Sequence, residues 1–362
     1  MTPSRDREVG ADGAGPAVAV FAWEVGSCTA LVPVVEELVR IGCRCTVFAF
    51  PPAQAVFDNR LGQNVSVVPG ISITERQQQW DVLLAGLGRW TQRPDEFESM
   101  RVAFDRKPSV ILLDNWKGLE RFFLPDGEPL PLEPTHLAVP DQHTGDALAC
   151  MGLRWNSIVA TGHPGLERCE LGRSSLSARR AQTRKQLGIS PNATVYVLAS
   201  ELMHGHSFYC GCDDSCASCL SALASHSSLT DALSCEGTAD GEVVWVMRPH
   251  PNEHQQALPG TLHVSWEEAD DLSILAVADR VYGLSSMLTA QAVASGIETR
   301  NITPFIPGWA PESVFLQPGT WDAVSKTGRW GRFEGVDEYP ETHVGAASRV
   351  ARLVLEAAGA AP

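Results

Sequence analysis

Val243-Val244-Trp245-Val246-Met247-Arg248-Pro249-His250-Pro251-Asn252 is the stretch that decides the fold. Its apolar half does not alternate with polar residues, so both faces of the strand are buried, as happens in a parallel sheet covered by helices. The run ends abruptly in a cation, an imidazole and two prolines. The prolines fix the backbone, so Arg248 and His250 are aimed rather than free to wander. Ligands of open parallel sheets lie at the carboxyl ends of strands. Arg248, His250 and Asn252 at such an end suit a phosphate group held by charge-assisted hydrogen bonds. The plainer alternative is a rigid turn bearing a surface histidine.

Downstream, Arg280-Val281-Tyr282-Gly283-Leu284-Ser285-Ser286-Met287-Leu288-Thr289 reads as a strand, a glycine and a serine pair that opens a helix. Hydroxyls and unpaired backbone N–H groups at a helix start favour an anion, which makes Ser285, Ser286 and Thr289 candidate phosphate contacts. Simple N-capping by Ser286 is compatible with that role. Upstream, the strand Thr194 to Leu198 runs into a loop holding His204 and His206. Helices are expected at about Cys216 to Leu233, Leu272 to Ala278 and Met287 to Ser295.

The first half repeats the alternation. Strands are expected at Val18 to Phe21, Cys45 to Phe50 (closed by Pro51-Pro52), Val65 to Val68, Val110 to Leu113, Thr135 to Val139 and Ser157 to Thr161. Trp23 to Ser27 reads as a turn before a helix over Leu31 to Ile41. A long helical stretch is expected from Ile73 to Phe104, and a helix over Asp146 to Met151. Gly162-His163-Pro164-Gly165 breaks the pattern before a basic helix at Ser175 to Leu187. Such alternation predicts an α/β protein with two Rossmann-like domains facing a cleft. The expected division is a disordered leader at 1–16, a first domain at 17–163 and a second domain at 164–340. A last helix within 341–362 would pack back on the first domain.

Composition narrows the partners. The 28 basic residues against 43 acidic ones give a net charge of −15 with no basic run, which argues against nucleic acid or an anionic membrane surface. No apolar segment approaches the roughly 20 residues of a membrane span. A polar, glycine-rich start points to a cytoplasmic protein. Cys210, Cys212, Cys216 and Cys219 lie close enough in sequence to offer four thiolates to a structural zinc ion, with His204, His206 or Cys235 as possible substitutes. The bland reading is a set of small buried thiols on a helix face.

The second half resembles the donor-binding domain of GT-B glycosyltransferases. The similarity rests on Leu187-Gly188-Ile189-Ser190 before a strand, on Ala276-Val277-Ala278-Asp279-Arg280-Val281 leading to Ser285-Ser286, and on Ala292 to Gly296. Arg248-Pro249-His250-Pro251 with Ser285-Ser286 is similar to the His-Pro and Ser-Ser motifs of bacterial sialyltransferase and capsule transferase families, in which the histidine and serines meet the nucleotide phosphate. The acidic-acidic-Gly motif that carries the base in those sialyltransferases has no clean copy in the first half. The resemblance implies a metal-independent, inverting transfer from a nucleotide-sugar donor to a small acceptor, with 17–163 as the acceptor-side domain, 164–340 as the nucleotide-donor domain, and the loop of His204 and His206 among the donor contacts. That chemistry needs a base for the acceptor proton and stabilisation of the departing phosphate. Glu24, just past the first strand, is the first candidate base and Asp114 the second. His143 is the next candidate, with Asp141 and His163 also at strand ends; capping is the alternative role for these carboxylates. A UDP-HexNAc 2-epimerase shares the architecture, but its helix normally opens on Ser-Gly-Gly and paired glutamates. A non-catalytic nucleotide- or zinc-binding relative is the rival from another class.

Overall fold

A computed structural model of the chain describes residues 15–62, 65–70, 79–86, 101–105, 107–114, 119–124, 127–155, 157–199, 242–249, 260–265, 268–283, 286–301 and 343–360, with single positions 88, 98 and 116. The chain divides into two compact units. One comprises Met1–Asp114, Gly118–Pro164 and Gly345–Pro362; the other comprises Asn115–Lys117 and Gly165–Val344.

The first unit is built on β1 (Ala17–Ala22), β2 (Arg44–Ala49), β3 (Ser66–Pro69), β4 (Val82–Gly86), β5 (Ser109–Leu112), β6 (His136–Val139) and β7 (Ile158–Ala160). All pair in parallel, in the order β3-β2-β1-β4-β5-β6-β7. Every residue of β1, Ala-Val-Ala-Val-Phe-Ala, is buried, because helices or loops cover both faces of a parallel sheet. One face is covered by α1 (Val25–Arg40), α2 (Pro51–Arg60) and the last helix of the chain, here α7 (Ala346–Ala357), through Leu31, Val35, Phe57, Val350 and Val354. The other packs Phe21, Trp23, Phe48, Trp80, Phe104 and Phe122 into an aromatic core. The helix α3 (Gln142–Met151) connects β6 to β7.

The second unit begins with α4 (Pro164–Gln186). Its strands β8 (Thr194–Ala199), β9 (Val243–Arg248), β10 (Thr261–His263), β11 (Arg280–Gly283) and β12 (Glu298–Asn301) form a parallel sheet in the order β10-β9-β8-β11-β12. The helices α5 (Asp271–Val277) and α6 (Met287–Ala294) precede and follow β11. Counted within its own unit, the second sheet runs 3-2-1-4-5 and the first 3-2-1-4-5-6-7, each reversing order between its first and fourth strands. That reversal is the switch point at which open α/β sheets bind ligands.

Several expected elements are corrected. The long helix over 73–104 is interrupted by β4, whose Val-Leu-Leu-Ala-Gly is buried throughout; a short apolar run has no period that separates strand from helix. The Trp23–Ser27 turn is mostly the first turn of α1. Pro51-Pro52 opens α2 rather than simply ending β2, and Pro164 likewise opens α4, because the first turn of a helix has no use for a proline's missing N–H. The short strands β10 and β12 lie in segments that carry no apolar pattern. Among the described residues, no helix is long and apolar enough to cross a membrane.

Candidate functional site

The carboxyl edge of the first sheet gathers ionisable groups from several loops. Glu24 sits at the N-cap position of α1 with extended backbone (φ −113°, ψ 148°), yet its side chain makes no capping hydrogen bond. Its Oε2 lies 3.6 Å from a guanidinium nitrogen of Arg121. Arg121 stands on a 3-10 turn, Leu119–Phe122, fastened by the fully buried Phe122, whose ring meets Trp155 edge-on. Asp114 leaves the end of β5 and is 6% exposed. Burial pushes its carboxyl up to about 7; the Arg121 cation opposes that rise and the Glu24 anion adds to it. A Cβ placed on Gly26 would lie 3.6 Å from Asp114 Oδ2, so this carboxyl faces the first turn of α1. From the loop after β7, the buried His163 donates from Nε2 to the Asp114 carbonyl oxygen at 2.7 Å. The helix comes so close because β4 ends in Gly86: a Cβ there would stand 2.7 Å from Ser27 Cβ. Beside Glu24, Trp23 lies parallel to Phe50, ring centroids 6.2 Å apart.

Capping does account for Asp141. Its carboxylate accepts from Thr144 N at 2.7 Å and Thr144 Oγ1 at 2.8 Å at the start of α3. His143 is on the first turn of that helix. A hollow bordered by Phe104, Pro131, Glu133, Arg154 and Trp155 lies at the opposite, amino edge and includes none of these groups.

The carboxyl edge of the second sheet is arranged around hydroxyls. Ser286 caps α6, accepting from Leu288 N at 3.2 Å. Thr289, one turn on, is fully buried, and its Oγ1 occupies the space that a Cβ on Gly283 would need. Arg248 is 2% exposed; its guanidinium donates to the Val264 and Ser265 carbonyl oxygens at 3.2 and 2.6 Å and to Asp271 Oδ1 at 3.3 Å. These bonds tie the end of β9 to the chain after β10 and to the start of α5.

No known family's sequence model matches the chain, and no curated protein matches it in sequence. Solved structures do resemble it. A UDP-GlcNAc 2-epimerase from Methanocaldococcus jannaschii, in complex with UDP-GlcNAc and UDP, superposes with a TM-score of 0.56 at 8% identity, covering 79% of this chain and 83% of that one. The wall teichoic acid polymerase TagF, solved with CDPG, superposes with a TM-score of 0.52 at 10% identity, covering 96% and 90%. The fold is that of the GT-B class.

Within this GT-B fold, the structure brings Glu24 and Asp114 together and adds Arg121, a residue that no motif in the sequence singles out. A lone arginine in a loop after Asp114 carries little signal, since such residues are usually solvated. His204, His206, Cys210, Cys212, Cys216, Cys219, His250, Asn252 and Ser285 lie outside the described residues, as does the side chain of His143. Among the described residues, no three His, Cys, Asp or Glu side chains gather as metal ligands.

Proposed function

We propose that the chain is a glycosyltransferase that moves a sugar from a nucleotide-sugar donor to a small acceptor with inversion and without a catalytic metal. The observation that carries this reading is the buried Asp114 carboxyl beside Glu24 and Arg121, at the switch-point edge of a GT-B fold. A group whose proton leaves near neutral pH is matched to general-base work. The ionised Asp114 takes the acceptor's hydroxyl proton as the acceptor oxygen bonds to the anomeric carbon. The bond from that carbon to the phosphate oxygen breaks, and its electron pair leaves with the nucleotide. Ser286 and the amino end of α6, with His250 and Asn252 after β9, receive the phosphate charge. Arg248 acts there by holding the end of β9 in place. The nucleotides in the two similar structures, UDP-GlcNAc with UDP and CDPG, support a nucleotide-linked donor.

Thermal shift against CMP, UDP, GDP and ADP is the first test. At least one should raise Tm by stabilising the folded chain, and none doing so would sink the reading. An epimerase is the second reading, favoured by the TM-score of 0.56 to a UDP-GlcNAc 2-epimerase. Incubation with UDP-HexNAc alone separates the two, because epimerisation needs no acceptor and transfer does.

A further inference from the structure

We infer that Arg121 is a positioning residue: paired with Glu24 beside the buried Asp114, its cation sets Asp114 as the group of this edge that exchanges the proton. Its catalytic meaning rests on the transferase reading; its electrostatics do not.

Two neighbouring carboxyls in a partly dry site do not both ionise readily, and one cation among them decides where the first negative charge resides. Arg121 lies 3.6 Å from Glu24 Oε2, and the Glu24 side chain is 36% exposed where Asp114 is 6% exposed. Arg121 thus pairs with the more exposed of the two carboxyl groups, while burial holds the proton on Asp114. Glu24 stands at the N-cap of α1 without a side-chain capping hydrogen bond, and its carboxylate meets Arg121. Among the described residues, Glu24 at the N-cap of α1, Cys28 in α1, Arg121 from the 3-10 turn and His163 from the loop after β7 face Asp114. Burial raises the Cys28 thiol, so it stays neutral. His163 approaches the backbone carbonyl of Asp114. Burial raises this carboxyl most, and on top of it the charges of Arg121 and Glu24 act in opposite directions.

The test is a 13C NMR titration of the full chain with carboxyl-labelled aspartate, assigned by Asp114→Asn. The Asp114 midpoint should rise by about one pH unit in Arg121→Gln and fall, by less, in Glu24→Gln. Arg121→Lys should return it towards the wild-type value. A residue that merely held the loop would behave differently: losing either partner would admit water, and both variants would fall towards an ordinary aspartate. A fall in both variants, or no movement in either, overturns the assignment. If Arg121→Gln does not fold, Glu24→Gln with Arg121→Lys carries the test, and a midpoint unmoved by Glu24→Gln is then decisive. Opposite shifts in a chain that binds no nucleotide would sink the transferase reading and leave Arg121 its role. Transfer whose acid limb of kcat/KM stays put while the NMR midpoint moves would leave Arg121 its electrostatic effect but take the proton exchange away from Asp114, overturning the catalytic half of the assignment.

Discussion

At their amino edges the two sheets are built alike, and at their carboxyl edges they differ. In the first unit, Ala17 N donates to Asp81 Oδ2 at 2.9 Å while Asp81 N donates to Ala17 O at 2.8 Å. In the second, Val195 N donates to Asp279 Oδ2 and Asp279 N to Val195 O, each at 2.8 Å. Each aspartate stands one residue before the strand across the switch point, β4 or β11, and pins it to the first strand of its sheet. At the far end each of those strands closes in a glycine, Gly86 or Gly283, against which a helix presses. There the likeness ends. The first edge holds Glu24, Asp114 and Arg121; the second holds a capping serine, a buried threonine and a helix start. The shared clasp and glycine serve the fold, so the chemical difference between the two edges resides in the loops and helix starts beyond the strand ends.

The comparison breaks most sharply at Asp114. If the first edge performs the proton transfer, Asp114→Asn should lower kcat by about 10²- to 10⁴-fold and leave nucleotide-induced stabilisation intact. It should also stabilise the chain. Because the folded carboxyl titrates near 7 and the unfolded one near 3.8, the folded state binds more protons between those values. Stability therefore falls as pH rises through that window and stays low above it. The asparagine removes a cost on the order of a few kcal/mol, so Tm should rise at pH 8 and stay unchanged at pH 3.5, as calorimetry at both pH values would show.

The same contrast explains how far the molecule is legible in its sequence. Strands such as Val18 to Phe21 and Val243 to Met247 stand out because two covered faces demand unbroken apolar runs. β10 and β12 do not, since Thr-Leu-His and Glu-Thr-Arg-Asn are the sheet's outer strands and need less apolar cover. Glu24 and Asp114 can each be singled out as polar residues at strand ends. Their proximity cannot: β1 and β5 are separated by β4, whose short apolar run reads equally well as part of a helix. Arg121 is hidden for another reason, since its importance lies in which carboxylates it faces rather than in any pattern along the chain.

The two glycines offer a paired test of the next largest effect. Gly86→Ala places a methyl against Ser27 and Leu31, and Gly283→Ala places one against Thr289. Overpacking of this kind costs about 2 kcal/mol, or roughly 4–8 °C in Tm for units of this size. Both variants should melt early, but nucleotide-induced stabilisation should survive in Gly86→Ala and weaken in Gly283→Ala. Equal loss in both would mean that nucleotide binding is not confined to the second unit.

The aspartate clasps sharpen the comparison at its shared geometry rather than at its chemistry. Asp279 also pairs with Arg180 at 2.5 Å and with the buried Arg184 at 3.2 Å, whereas Asp81 is exposed. Asp279→Asn should therefore cost about 1.5 kcal/mol and Asp81→Asn under about 1, with nucleotide affinity unchanged in each. Urea titration measures both, and equal costs would show that the arginines add nothing to the second clasp.

The smallest effect asks whether the second edge stores a cost as the first one does. Thr289 Oγ1 is buried with no hydrogen-bond partner among the described residues, turned towards the Gly283 strand end. A hydroxyl left so destabilises a fold by about 1 kcal/mol or more, and valine keeps its shape without the polar atom. Thr289→Val should thus raise the Tm of the ligand-free chain by about 2 °C. If the hydroxyl serves only packing, the nucleotide-induced shift will be unchanged. The expectation is instead that the shift shrinks as the free chain gains, because a strained polar group at a strand end is retained where binding uses it. Asp114→Asn makes the same exchange on the first edge with a larger stake, so the two variants together ask whether each sheet carries, at its switch point, one buried polar group that the fold alone would be better without.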